Sequence, residues 1–508
     1  MKRNIMKDTI LLTVIQMTLD GLGLLLNAFM TRQLGTESMG ILTLTGSFFR
    51  LAAMTASGNV FLCASRFISE ELGKQERNPK KILAYCLLVS LVLSILISGI
   101  IILFAPWCGM HFFKSEELTA PIRLMALSLP LITITACLKG YCNACCKTAI
   151  CAISDAIDFL IHTGLTAGAV WLITPVTNAG LCYMTALCTI GSTAVSFIFL
   201  LFAIPSCKAE KTGKASISLK NYIKLAIPVM AGSALTSLLS SANDALVPIT
   251  LQQSGNSSTQ AFSQFGIFEA IVIPVLFFPS TLLVSLSGIL VTETARETAS
   301  CNKIRITYMT EKVIRQTIVF AIFITMLLLL FGDEIGELLG GGITAGKTIV
   351  LIAPVVPFIY LEIILESIIK GIGAQAFSSL NYLAEYVVRI SCVLIFIPIL
   401  GFYGIVLSYY ASNLFGNISR LILVIKRTGM EFSFIRMLGI PIFSAILSAQ
   451  LITLIFHVIH ILPNQNIFSM MIFAILSCVI YLMIQKELFH LHTQASPVCD
   501  NKISGNMK

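Results

Sequence analysis

Stretches of about 20 mostly apolar residues, the length a helix needs to cross a bilayer, recur along almost the whole chain. Fourteen can be marked: 9–30, 40–64, 82–105, 121–139, 150–173, 178–204, 222–247, 262–290, 313–332, 348–369, 377–400, 401–425, 436–457 and 467–485. They are too long and too continuous for the strands of a membrane barrel, which are ~10 residues of alternating pattern. Only 12% of the 508 residues are charged and 56% are hydrophobic. A soluble domain carries about 25% charged residues, so this chain has too little polar surface to cover a water-soluble body. The sequence therefore predicts an all-α integral membrane protein of 14 transmembrane helices. The first run follows Lys2, Arg3 and Lys7; it exceeds a signal-peptide core and lacks a small-residue cleavage site, so it is read as a span.

Charge gives the orientation. With the N-terminus in the cytosol and one crossing per run, 27 of the 34 Lys and Arg residues fall on the cytosolic side. Arg32, Lys114, Arg123 and Lys347 fall outside, and Arg50, Arg389 and Arg420 fall within spans. Short cytosolic loops are enriched in Lys and Arg, so both termini are expected in the cytosol. The net charge of +9 reports this asymmetry and calls for no nucleic-acid partner. The fifteen cysteines are scattered, mostly within apolar runs, and imply no disulfide framework. Cys142, Cys145 and Cys146 lack the second pair or nearby His of a zinc site, and Gly340-Gly341-Gly342 lacks the Lys-Ser/Thr of a phosphate cradle. Neither a metal nor a cofactor is expected, and no nucleophile–base constellation marks an enzyme.

The chain repeats itself weakly. Lys139-Gly140-Tyr141, a turn, and a helix with Asp158 and His162 are echoed by Lys370-Gly371-Ile372, a turn, and a helix with Glu385 and Arg389. A spacing of four puts each acid and its basic partner on one helix face. Each copy continues as helix, short break, helix. This divides the chain into a six-helix lobe at 1–204, a cytosolic linker at 205–221 and a second six-helix lobe at 222–427. Two further helices at 428–485 and a cytosolic tail at 486–508 follow. Six helices per lobe is an even number, so the repeats are parallel.

Several motifs stand in a suggestive order. Arg32-Gln33-Leu34-Gly35-Thr36-Glu37-Ser38-Met39-Gly40 lies between the first two spans, and Ser65-Arg66 precedes Glu70-Glu71-Leu72-Gly73. Phe265-Gly266 leads through Ile273-Pro274 to Phe278-Pro279-Ser280, and Leu290-Val291-Thr292-Glu293 follows. With the two acid-x-x-x-basic helices, this series resembles the multidrug/oligosaccharidyl-lipid/polysaccharide (MOP) exporter superfamily. Within it, the resemblance is to the stage V sporulation protein B and polysaccharide biosynthesis flippase family, over residues 5–485. It implies two lobes in a V around a central cavity, and a monomer in the plasma membrane. It also implies translocation of a lipid-linked saccharide by alternating access, in cell-wall or spore-envelope biogenesis. Where such flippases carry basic residues in the first helix, this chain has Asp20 and Asn27. A cation-coupled multidrug exporter of the same superfamily is therefore the first alternative, a membrane-bound enzyme acting on a lipid-linked sugar the second, and a non-transporting scaffold the third.

Charges inside a bilayer cost about 2.5–3.5 kcal/mol each on insertion scales and usually face a cavity or one another. The candidates for a substrate cavity are Asp20, Arg32, Arg50, Glu269, Glu385 and Arg389, of which Arg50 and Arg389 would attract phosphate oxygens. Asp20, Asp158, His162 and Glu269 are the candidates for coupling to a proton or sodium gradient. Each has a plainer reading as well. Glu385 and Arg389 could neutralise one another, as could Asp158 and His162, while Asp20 and Arg50 could form a buried structural pair. Asp244, Glu362 and Glu366, near span ends, are read as solvated. Pro228, Pro274, Pro279, Pro354 and Pro357 lie within spans, either as fixed packing features or as points of bending.

Overall fold

The computed structural model describes residues 5–72, 78–112, 116–145, 147–173, 177–204, 218–300, 303–458 and 467–495. Most of the expected linker (205–217), the end of the tail (496–508) and Cys146 lie outside these residues. In order the helices are α1 (Ile5–Ser57), α2 (Val60–Leu72), α3 (Pro79–Trp107), α4 (Thr119–Ala144), α5 (Thr148–Ile173) and α6 (Asn178–Ala203). They continue as α7 (Leu219–Gln253), α8 (Ser258–Gly266), α9 (Ile273–Phe277), α10 (Thr281–Ala299), α11 (Lys303–Leu338) and α12 (Gly342–Ile352). The remainder are α13 (Val356–Gly371), α14 (Gln375–Leu400), α15 (Phe402–Thr428), α16 (Ile440–Val458) and α17 (Ile467–Ala495). No strand occurs among the described residues.

Twelve helical segments are long and apolar enough to cross a membrane. The protein is a multi-pass membrane protein, and its surface says the same. Leu103, Trp171, Leu172, Phe202, Ile399 and Phe468 are each more than 70% exposed, while Ser90, Ser94 and Ser98 on α3 are buried. Each of these hydroxyls has a carbonyl partner: Ser90 donates to Cys86 O, Ser94 to Leu91 O (2.9 Å) and Ser98 to Ala126 O on α4 (2.6 Å). Large apolar groups outward and small satisfied polar groups inward is the arrangement lipid favours.

The first two spans are two helices that meet at Gly35 (φ 83°, ψ 166°), a conformation open to a residue without Cβ, within the stretch Thr13–Leu72. One expectation needs correction. The eighth span is not one helix over 262–290. The segment Ser258–Ala299 is broken by a π-helical stretch (Ile267–Val272) and a 3-10 turn (Phe278–Ser280). Pro274 and Pro279 sit at the first positions of the pieces that follow, where a missing N–H leaves no bond broken. Pro354 and Pro357 occupy the same positions in their segments, whereas Pro228 lies inside α7. The break at Gly401 is as expected, with α14 ending at Leu400 and α15 beginning at Phe402. Helix α15 is not among the twelve.

The chain forms two compact units, Met1–Ala270 and Ile271–Lys508. In the first, α1 meets α8 backbone to backbone. A Cβ on Gly40 would stand 2.0 Å from Phe262 O, and one on Gly266 2.2 Å from Thr36 O. Thr36 Oγ1 and Ser263 Oγ share a hydrogen bond of 2.6 Å at this crossing. A core of α2, α3 and α4 residues, including Phe67, Ile82 and Tyr141, packs against α7 through Tyr222. In the second unit, α11 and α12 approach at Gly336 and Gly346. Helix α17 lies antiparallel on α11, with Phe331 against Phe473 (5.1 Å), Phe323 on Tyr481 (5.5 Å) and Arg315 over Phe489 (4.2 Å).

Candidate functional site: a buried charge network in the second unit

Helices α14 and α15 form a tight hairpin. Gly401 turns the chain with φ 60°, ψ −134°, and a Cβ on Gly404 would stand 2.7 Å from Ile397 N. The hairpin sets Glu385 and Arg389 of α14 against Ser412, Gly416 and Arg420 of α15. Helix α13 adds Glu362, Glu366 and Lys370, four residues apart and therefore on one face.

Arg420 is the hub. Its side chain is 0% exposed, and its Nη2 stands 3.0 Å from both Glu362 Oε1 and Glu385 Oε2, with Nε 3.5 Å from Glu366 Oε2. Arg389 Nη2 reaches the other Glu385 oxygen at 3.5 Å. Its Nε donates to Ser412 Oγ at 2.9 Å, and its guanidinium lies over the rings of Tyr409 (4.4 Å) and Tyr386 (5.4 Å). Glu366 accepts from Ser378 and pairs with Lys370 (3.3 Å) at the exposed edge. Three carboxylates thus meet three cations, the balance that makes ionised groups tolerable in apolar surroundings. Gly416 keeps room for it, since a Cβ there would stand 2.4 Å from Glu385 Oε2 and 2.7 Å from Arg420 Nη1. Arg420 Nε and Nη1 and the Oε2 atoms of Glu366 and Glu385 are buried without hydrogen-bond partners, so the network is held by opposite charge more than by completed hydrogen bonds.

The structure brings Glu385 and Arg389 together as their spacing predicts, but as members of a network drawn from three helices and not as an isolated pair. Reading Glu362 and Glu366 as solvated is wrong: they are 25% and 22% exposed and both pair with Arg420. Sequence reasoning places Arg420 within a span and gives it no role. The signal for it was present, since Asn413, Gly416, Asn417 and Arg420 mark one polar face in an apolar run.

The other candidates lie in the first unit. Asp244, also read as solvated, is 8% exposed. It accepts from Ser47 Oγ (2.5 Å) and pairs with Arg50 Nη2 (3.6 Å). Arg50 is therefore not the partner of Asp20. Helix α7 packs on the later part of α1 and supplies the nearer carboxylate, while Asp20, on the other side of the Gly35 kink, accepts from Gln16 Nε2 (2.9 Å). Arg32 is exposed and Glu269 half-buried. Among the described residues the side chains of Asp158 and His162 make no hydrogen bond or ion pair, and Asp158 Oδ1 is buried without a donor. Asp155, one turn earlier, pairs with Lys139 at 2.6 Å. Among the described residues no three His, Cys, Asp or Glu side chains are grouped to hold a metal.

Fold and site together define a polytopic helical membrane protein that encloses a balanced cluster of charges. Comparison with known proteins narrows the class. Residues 5–254 match the family model described as polysaccharide biosynthesis protein. Stage V sporulation protein B of Bacillus subtilis (strain 168) is 22% identical over 421 residues, covering 80% of this chain and 81% of that protein. The fold is similar to that of the lipid II flippase MurJ in an inward closed conformation, at TM-score 0.72 and 13% identity over 95% of this chain and 99% of that one. It is also similar to an inward-facing multidrug resistance MATE family transporter of the MOP superfamily, at TM-score 0.62 and 15% identity over 81% and 94%. The first half of the chain thus resembles polysaccharide biosynthesis proteins, and the whole shares its fold with a solved lipid II flippase and a solved transporter of the MOP superfamily.

Proposed function

We propose that the protein moves a lipid-linked saccharide, a polysaccharide intermediate or cell-wall precursor, across the plasma membrane by alternating access. One observation carries this reading: the likeness to a lipid II flippase extends over 95% of the chain. So large a share requires most of the residues beyond 428, the two C-terminal helices, to have counterparts there. The likeness to the MATE transporter covers 81% and leaves a length comparable to those helices unmatched. The family match and the sporulation relative support a role in envelope or spore-wall assembly. Two six-helix lobes, 1–204 and 222–427, would rock as parallel repeats. The polar headgroup would pass along Asp20, Arg32, Arg50, Glu269, Glu385 and Arg389 while the tail stays in lipid. A proton or sodium gradient acting through Asp20, Asp158, His162 or Glu269 would supply direction.

The test uses purified protein in liposomes. Translocation of a fluorescent lipid-linked oligosaccharide is measured beside ion-driven efflux of a cationic dye. Saccharide movement supports the proposal. Dye efflux alone supports the second reading, a cation-coupled exporter, which the acidic Asp20 in the first helix favours. Movement of neither, at any ion gradient, overturns both. Arg389→Ala sharpens the test, because Glu385 keeps Arg420 at 3.0 Å and the fold survives. Transport is expected to be abolished; undiminished transport would make Arg389 a structural residue.

A further inference from the structure

A groove of about 490 Å3 runs between α11 and α17 within the second unit. Its two ends differ. Arg315 and Lys486 lie at one end, where Arg315 stands over Phe489 (4.2 Å). Eight residues further along α11, about 12 Å on a helix, Phe323 stacks on Tyr481 (5.5 Å), and with Phe320 and Leu482 it makes the other end apolar. The lining holds no acidic side chain. Among the described residues, neither Arg315 nor Lys486 has a carboxylate within ion-pair distance, unlike Arg389 and Arg420 of the same unit. A third group points to a ligand. Gln485, between the charged and apolar ends, has a buried Oε1 with no hydrogen-bond donor, and an unsatisfied buried acceptor costs about 1–3 kcal/mol.

We propose that this groove holds one anionic glycerophospholipid of the surrounding leaflet. Its phosphate sits between Arg315 and Lys486, a headgroup or glycerol hydroxyl donates to Gln485 Oε1, and an acyl chain lies along Phe320, Phe323 and Leu482. Unpaired cations satisfy a phosphate, the orphan acceptor requires a donor, and the aromatic floor suits a hydrocarbon chain and not a free anion. Basic pockets between membrane helices recognise acidic headgroups on this principle. The groove shares no residue with the charge network, so the lipid site stands whether or not the protein moves a saccharide.

Native mass spectrometry of the full chain, released from nanodiscs of mixed phosphatidylglycerol and phosphatidylcholine, tests it. One phosphatidylglycerol is expected to stay bound in preference to phosphatidylcholine. Arg315→Gln with Lys486→Gln is expected to weaken retention about thirtyfold, roughly a factor of five for each charge at the membrane surface. Leu482→Trp fills the apolar end and leaves the charges; it is expected to reduce retention as well, and it carries the test if the double variant does not fold. Equal retention of the two lipids overturns the proposal, as does unchanged retention in the folded double variant or in Leu482→Trp. A bound polyprenyl species in place of the phospholipid also overturns it.

Discussion

Arg420 and Glu385 show what a charge must find to persist in an apolar interior. Neither is solvated, and each has two or more opposite charges within 3.5 Å. Removing one partner of a buried pair is costlier than removing the pair, because it strands the other charge. Arg420→Leu is expected to lower stability by about 3–5 kcal/mol, read by thermal unfolding in detergent. Combining it with Glu385→Leu should recover part of that loss, and a double-mutant cycle measures the coupling. If the two effects merely add, the 3.0 Å contact carries no net energy. At Gly416 the limit is space. Gly416→Ala places a methyl 2.4 Å from Glu385 Oε2 and is expected to cost about 1–3 kcal/mol by overpacking, seen as a lower unfolding midpoint. The partners of these residues were not legible in the sequence. Glu362 and Arg420 are 58 positions apart, and helical spacing speaks only for neighbours three or four apart. Of the two pairs that spacing did specify, Glu385 with Arg389 forms, while Asp158 and His162 share a helix face without pairing.

Among elements, legibility follows the same boundary between local and distant. The apolar runs were readable because the free energy of placing a helix in lipid is a sum over its own residues. Where the reading failed, backbone geometry overrode composition. The polar stretch 31–39 looks like a loop, and the backbone does leave helical geometry there, though at Gly35 alone. The run 262–290 looks like one helix, yet Pro274 and Pro279 divide it. The contact of α1 with α8 makes a prediction at this scale. Gly40→Val has no room, because even a Cβ would fall 2.0 Å from Phe262 O. The helices must separate, breaking the Thr36–Ser263 hydrogen bond. A disulfide probe, Thr36→Cys with Ser263→Cys, is expected to cross-link readily in the parent and poorly with Gly40→Val. Equal cross-linking would show that α8 yields without moving off α1.

For the whole molecule, the charge asymmetry of the loops and an even number of crossings make one joint prediction: both termini are cytosolic. A fluorescent protein that matures only in the cytosol is expected to be bright when fused at either end. One bright and one dark fusion would mean an odd number of crossings, which would remove either α15 or one limb of α1 from the count. By itself the sequence determined that this chain lives in a bilayer and where most of its apolar helices lie, because both depend on residues adjacent along the chain. Only the tertiary structure decided that Arg50 answers to Asp244, that Arg420 gathers three glutamates, and that Arg315 and Lys486 share one groove. Those choices depend on which helix faces which, and a desolvated charge takes whatever opposite charge the packing brings within reach.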